Sequence, residues 1–242
     1  MPTNFRFLII GAGRGGTSLI AALLDSHPQL TVAFERFAKD YLMGQALGGD
    51  EASRFDVRAN AFYRACVDEA ARYPQHFWGN KITTEQLGGL EQHNRTFPGQ
   101  PMEIMEAFFN RVLAQQKLVF ILRDGRTCVR SKMARTGQSL ETACERWLYS
   151  VQVYEFLSRH PRAICIRYES LLTDPVETLG SVCEFLGIPY DQAMLEGTQH
   201  SRMNPDYRYP GFDTSKLSLS GVPKGCERLL EKALRDCGYL HP

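Results

Sequence analysis

Within its first 28 residues the chain spells out a strand, a glycine-rich turn and a helix. Phe5-Arg6-Phe7-Leu8-Ile9-Ile10 is an apolar run far too short to span a bilayer and of the right length for a buried strand of a parallel sheet. Gly11-Ala12-Gly13-Arg14-Gly15-Gly16 follows, and Thr17 to Asp25 then places Leu19, Ile20, Leu23 and Leu24 at helical spacing before Pro28 ends the segment. Glycines let the backbone curl so that several N–H groups face one point, and the helix N-terminus adds about half a positive charge. Together they predict an anion cradle at Gly11 to Ser18, with Thr17 and Ser18 as hydroxyl donors and Arg14 as a fixed guanidinium.

The pattern recurs. Lys117 to Leu122 is a second strand candidate, followed by a helix expected over Arg123 to Met133. Ala163 to Arg167 is a third, and Val32 to Phe34 and Phe77 to Lys81 are weaker ones. Leu140, Ala143, Cys144, Trp147, Val151, Tyr154 and Leu157 predict a long amphipathic helix. Another is expected from Pro175, with Asp174 as its N-cap and Glu177 three residues on, and a last one from Pro223 to Cys237. Strands alternating with helices predict an α/β fold: one P-loop-like domain over 1–242, its central parallel sheet flanked by helices on both faces. Ser201 to Val222, polar and rich in Gly, Pro, Ser and Tyr, reads as a long surface loop and candidate lid over 201–222.

The formal net charge is +1, so no global field favours nucleic acid or membrane, and an anion site must come from local Arg and Lys placement. The seven cysteines are scattered with no C-x-x-C pairing, which predicts reduced core thiols rather than a disulfide framework or zinc site. The expected compartment is the cytoplasm, with no membrane span and no metal.

A second anion site is expected near 123–135. Arg123 closes the second strand, and Ser131 and Arg135 lie one turn apart on the helix after it. Open α/β sheets bind ligands at the carboxyl ends of their strands. The competing reading makes Arg126, Arg130, Lys132 and Arg135 a solvated helix face.

The run F-L-I-I-G-A-G-R-G-G-T-S-L-I-A-A-L-L-D-S-H-P (Phe7 to Pro28) resembles the phosphosulfate loop of sulfotransferases that use 3'-phosphoadenosine 5'-phosphosulfate (PAPS), and is closest to the tyrosylprotein and bacterial branch. V-F-I-L-R-D-G-R-T-C-V-R-S (Val119 to Ser131) resembles that family's 3'-phosphate site, and I-R-Y-E-S-L-L-T-D-P (Ile166 to Pro175) a later family element. The chain departs from the pattern at Gly15, where Ser is usual, in a long stretch between Lys81 and Lys117, and in a loosely matching C-terminal part. The resemblance implies that Arg14, Gly15, Gly16, Thr17 and Ser18 hold the phosphosulfate end, that Arg123 and Ser131, helped by Arg135, hold the 3'-phosphate, and that Tyr168 contacts the adenosine side. It also implies Glu35 as the base and Lys81 as the cation at the departing phosphate oxygen, with Arg14 assisting.

Sulfuryl transfer builds negative charge on the bridging oxygen as the S–O bond breaks, and fixed cations and N–H donors aimed there stabilise it. A hydroxyl or amine acceptor must also lose a proton, which calls for a carboxylate or histidine in reach; Glu35 is the candidate and His27 its rival. The products are PAP and a sulfated acceptor whose identity the sequence leaves open. Two other functions fit the same architecture. One is a P-loop nucleotide kinase-like phosphotransferase, against which Thr17 stands where G-x-x-x-x-G-K-[ST] has its lysine. The other is a non-catalytic nucleotide-binding protein on the same fold.

Overall fold

The computed structural model describes residues 3–240; the ends of the 1–242 span, residues 1–2 and 241–242, lie outside the described residues. Five strands, β1 (Phe5–Gly11), β2 (Leu30–Phe34), β3 (Phe77–Lys81), β4 (Lys117–Leu122) and β5 (Ala163–Arg167), form one parallel sheet in the order β2-β3-β1-β4-β5. Both weak strand candidates are therefore real, and β2 begins two residues earlier than its apolar signal.

Both faces of the sheet are covered, which is why its central strands β1 and β4 read as near-continuous apolar runs. Leu8, Ile10, Leu118, Phe120 and Leu122 point into one core layer, and Phe7, Ile9, Val119 and Ile121 into the other. Helices α1 (Thr17–Asp25), α2 (Phe55–Ala70), α3 (Thr84–Gly88), α4 (Gly125–Thr136), α5 (Leu140–Leu157), α6 (Tyr168–Thr173), α7 (Pro175–Leu186) and α8 (Cys226–Asp236) surround the sheet. α2, α5 and α8 bury their apolar stripes in the first layer, α1, α6 and α7 in the second.

Several helix boundaries differ from the sequence reading for local reasons. α4 starts at Gly125 because the Asp124 side chain accepts from the Arg126 N–H, and it runs on to Gly137, whose φ of 68° ends it. Asp174 does precede α7, but its side chain caps nothing, and its backbone oxygen instead accepts from Thr178. The last helix starts at Cys226, not Pro223, because Gly225 turns the chain at φ 84°.

The connections decide where a ligand can go. From β1 the chain passes through α1 to β2 on one side of the sheet; β4 and β5 lie on the other. The loops leaving β1 and β4 diverge, and such a switch point opens a crevice above the sheet.

Candidate active site

The loop after β1 is a tight, heavily bonded turn. Gly15 N–H donates to the Ala12 carbonyl at 2.8 Å, Arg14 sits at φ 73° and Gly16 at φ 98°. A non-glycine residue at positive φ is uncommon and must be held in place by its surroundings. Gly16 is required twice over, by its φ and because a Cβ there would lie 2.3 Å from the Tyr168 ring. At Gly15 a Cβ would lie 2.8 Å from the Ala12 oxygen. The first-turn N–H groups of α1, at Thr17 and Ser18, precede the intrahelical ladder and point out of the helix end.

Arg123, at the end of β4, is buried and lies against this loop. Its Nη1 donates to the Arg14 carbonyl at 3.0 Å, its Nε to Thr127 Oγ1 at 2.9 Å, and its guanidinium stacks 4.4 Å above the Tyr168 ring. Trp147 of α5 donates from Nε1 to the Arg123 carbonyl at 2.9 Å, fixing the turn from behind. Arg14 Nε in turn donates to Ser131 Oγ of α4 at 3.1 Å.

The crevice holds a cavity of about 420 Å³. Arg14, Gly16, Thr17, Ser18, Arg123, Ser131 and Tyr168 all line it, so most of the residues singled out from sequence come together in one place. Gly15 and Arg135 do not line it: Gly15 shapes the turn, and Arg135 stands on the exposed rim, pairing with Asp206 at 3.4 Å. The 201–222 segment forms the opposite wall through Met203, Tyr207, Tyr209, Phe212, Asp213 and Lys216. It is tied down by the basic residues facing it. Arg14 stacks on Tyr207 at 4.2 Å, Arg123 Nη2 donates to the Lys216 carbonyl at 3.1 Å, and Arg130 donates to the carbonyls of Ser218 and Ser220.

The solvated-face reading of α4 is therefore corrected for two of its four cations. Arg126 is buried in a bonded pair with Asp124 at 2.7 Å and reaches Glu227 at 3.0 Å; the hydrogen bonds it donates to Asp124 hold its pKa up against its burial. Lys132 is buried against Glu85 of α3.

Glu35 and Lys81 sit on the other flank, at the carboxyl ends of β2 and β3, outside the lining of the 420 Å³ cavity. Lys81, buried, donates from Nζ to Glu35 Oε1 at 2.5 Å. Gln86 donates from Nε2 to Glu35 Oε2 at 2.7 Å while its Oε1 accepts from the Thr83 N–H at 2.8 Å. One capping box at the start of α3 thus also fixes which way the Gln86 amide faces, and so sets the direction of the Glu35 carboxylate. Glu35 itself is at φ 59° and Phe37 at φ 64°. This strained turn is pinned by Asn80 Nδ2 donating to the Arg36 carbonyl at 2.8 Å and by buried Arg58, which donates to the Tyr41 and Leu42 carbonyls. Glu35 pairs with neither Arg36 nor Lys39; Arg36 pairs with Glu69 at 3.3 Å.

His27 is committed elsewhere. Its Nε2 donates to the Pro189 carbonyl at 2.9 Å, its Nδ1 accepts from the Gln29 N–H at 3.1 Å, and the ring is buried. The sequence reading missed Glu85, Gln86, Thr127 and Tyr207. Only Gln86 had a local signal, the T-x-x-Q pattern of Thr83 to Gln86.

Among the described residues no cluster of three or more His, Cys, Asp or Glu could hold a metal, and no helix is long and apolar enough to cross a membrane. All seven cysteines are free.

Comparison with known proteins places this geometry. The sequence is 24% identical over 210 residues to a protein-tyrosine sulfotransferase of Drosophila melanogaster, covering 81% of this chain and 40% of that protein. It is 25% identical over 215 residues to protein-tyrosine sulfotransferase 2 of Gallus gallus, covering 81% and 53%. The chain thus spans about half the length of the curated relatives it matches. In fold it is similar to the sulfotransferase domain of the Synechococcus PCC 7002 olefin synthase, with a TM-score of 0.66 at 18% identity over 98% of this chain and 95% of that one. It is also similar to mouse sulfotransferase SULT7A1 complexed with PAP, with a TM-score of 0.51 at 12% identity over 97% and 85%. Residues 6–192 match the family described as "Sulfotransferase family", and the chain belongs to it.

Proposed function

We propose that this chain moves a sulfuryl group from PAPS to a hydroxyl or amine acceptor and releases PAP. The observation that carries the reading is the crevice between β1 and β4, where one cavity brings together Arg14, Thr17 and Ser18 from the glycine loop and Arg123 and Ser131 from the second motif. PAPS, the donor substrate, carries two anionic ends, and the cavity offers cations and donors from two elements to meet them. Arg14, Gly16, Thr17 and Ser18 receive the phosphosulfate, with Gly15 shaping their turn; Arg123 and Ser131 receive the 3'-phosphate. Tyr168 forms the wall between, and Arg135 supports the rim by way of Asp206 and Tyr207.

In the transfer, a bond forms between the acceptor oxygen or nitrogen and sulfur as the bond from sulfur to the phosphate oxygen breaks. The acceptor proton passes to Glu35. Lys81 and Arg14 meet the charge left on the phosphate oxygen. Support for Glu35 comes from its geometry: both carboxylate oxygens are oriented by donors on separate elements, and the turn carrying it is held at a costly φ. His27 has both nitrogens engaged and no comparable access.

We read 1–242 as one catalytic unit acting in the cytoplasm, a reading supported by the single sheet and the seven free thiols. Incubation with ³⁵S-labelled PAPS and a cell metabolite extract tests the proposal. Label should appear in a new product, with one PAP formed per sulfate transferred. No ³⁵S product, with label moving instead from γ-³²P-labelled ATP to an extract metabolite in a parallel incubation, would support the kinase alternative.

A further inference from the structure

Buried Lys132 and partly buried Glu85 form an ion pair against the glycine loop. Glu85, on the first turn of α3, accepts the Gly13 N–H at 2.9 Å through Oε2, and Lys132 of α4 donates to its Oε1. Lys132 is 2% exposed. Burial alone would raise the Glu85 pKa, but Lys132 and the hydrogen bonds outweigh it and hold the carboxyl below its ordinary value.

A carboxylate is the wrong charge to place under an anion cradle, so its presence needs a reason. The loop supplies one. Arg14, a non-glycine residue at positive φ, persists there only if the surrounding structure fixes the peptides around it. The Ala12 carbonyl is fixed by the Gly15 N–H, and the Arg14 carbonyl by Arg123. The Gly13 carbonyl accepts from the Cys128 thiol at 3.7 Å, a thiol that burial keeps protonated. The Gly13 N–H finds its acceptor outside the loop, at Glu85. Lys132 cancels the charge that would otherwise repel a bound phosphosulfate. The absence of a side chain at Gly13 leaves room for this contact, since a Cβ there would lie 2.9 Å from Glu85 Oε1 and push the carboxylate aside.

We infer that Glu85, neutralised by Lys132, is a positioning residue: by holding the Gly13 peptide it sets Arg14 and the amides of Gly16, Thr17 and Ser18 in line with the 5' end of the donor. The inference rests on reading the cavity as the PAPS site. It makes a claim that a merely structural ion pair would not. Loss of the acceptor at Gly13 should weaken ligands that carry a 5'-phosphate and spare those that do not.

The test compares PAP with adenosine 3'-monophosphate by titration calorimetry. Removing one partner alone would strand a buried charge, so the main variant replaces both, Glu85→Met with Lys132→Met. It should melt near the wild-type temperature, lose about tenfold or more in PAP affinity, and bind adenosine 3'-monophosphate as the wild type does. Glu85→Gln with Lys132→Met restores an uncharged acceptor for Gly13 and should recover PAP affinity to within about threefold. Should the methionine pair fail to fold, Glu85→Asp keeps the charge beside Lys132 but withdraws the acceptor by one methylene, and the same PAP-selective loss is expected. Equal losses for both ligands, unchanged PAP affinity, or no recovery with glutamine would each overturn the inference. A wild-type chain that binds neither ligand would instead overturn the sulfotransferase reading on which it stands.

Discussion

On the β1–β4–β5 side of the sheet, Arg14, Arg123, Arg130 and Arg135 each already hold a partner, and every peptide of the glycine loop from Ala12 to Gly15 is bonded. On the β2–β3 side, two residues at positive φ, Glu35 and Phe37, stand in a turn fixed mainly by Asn80 and Arg58. On the proposed function, the first region binds one constant, doubly anionic ligand. The second aims one carboxylate and leaves the approach to it partly open, with about a third of the Glu35 side chain exposed. Tight preorganisation where the donor is invariant, and a looser wall where the acceptor enters, is the arrangement expected if binding and proton removal are separate tasks.

The separation can be broken most directly at Glu35. Glu35→Gln keeps the shape and removes the base, so kcat should fall by about 10²–10⁴-fold while PAP affinity changes little. Arg14→Ala, on the other side, should weaken both PAP binding and turnover, because its charge meets ground state and transition state alike. A Glu35→Gln enzyme with near-normal kcat would erase the distinction between the two regions.

Arg123 sharpens the donor side. Arg123→Ala should narrow the gap between PAP and 5'-AMP affinities by about 1.5–3 kcal/mol, the range for hydrogen bonds to charged groups. If 5'-AMP binding fell as far as PAP binding, Arg123 would be bracing the loop through the Arg14 carbonyl rather than reading the 3'-phosphate.

A smaller effect is expected in acid. The Glu85 pKa is lowered in the folded chain below its ordinary 4.5, so its contribution to stability is present above about that pH and is lost as pH falls through the lowered value. On acidification from neutral pH the wild type should therefore lose more melting temperature than the Glu85→Gln, Lys132→Met variant, because protonating Glu85 leaves buried Lys132 unpaired and the variant has neither charge. A constant offset between the two curves at all pH values would contradict the assignment.

The donor side was the more legible in sequence because its parts are local. The glycine loop, Arg123 and Ser131 each sit at fixed offsets from a strand end, and apolar runs mark those strands clearly. Even there the reading stopped at the chain's own neighbourhood. Lys132 looked like one more solvated cation because its partner Glu85 is 47 residues away. Tyr207 lay in a polar segment whose composition says loop but not which ring turns inward. On the acceptor side β2 and β3 are short, and β3 carries Gly79 and Asn80 in place of apolar residues, so their strand signal was weak. Gln86 had its capping box in plain view, but the pattern gains meaning only once the fold sets α3 beside Glu35.

The central claim is that the cavity between β1 and β4 recognises both anionic ends of one nucleotide. Titration calorimetry of the wild-type chain with PAP and with 5'-AMP tests it without any knowledge of the acceptor. PAP should bind at least about tenfold more tightly, because only PAP offers Arg123 and Ser131 a 3'-phosphate. Equal affinity for the two nucleotides would contradict the account.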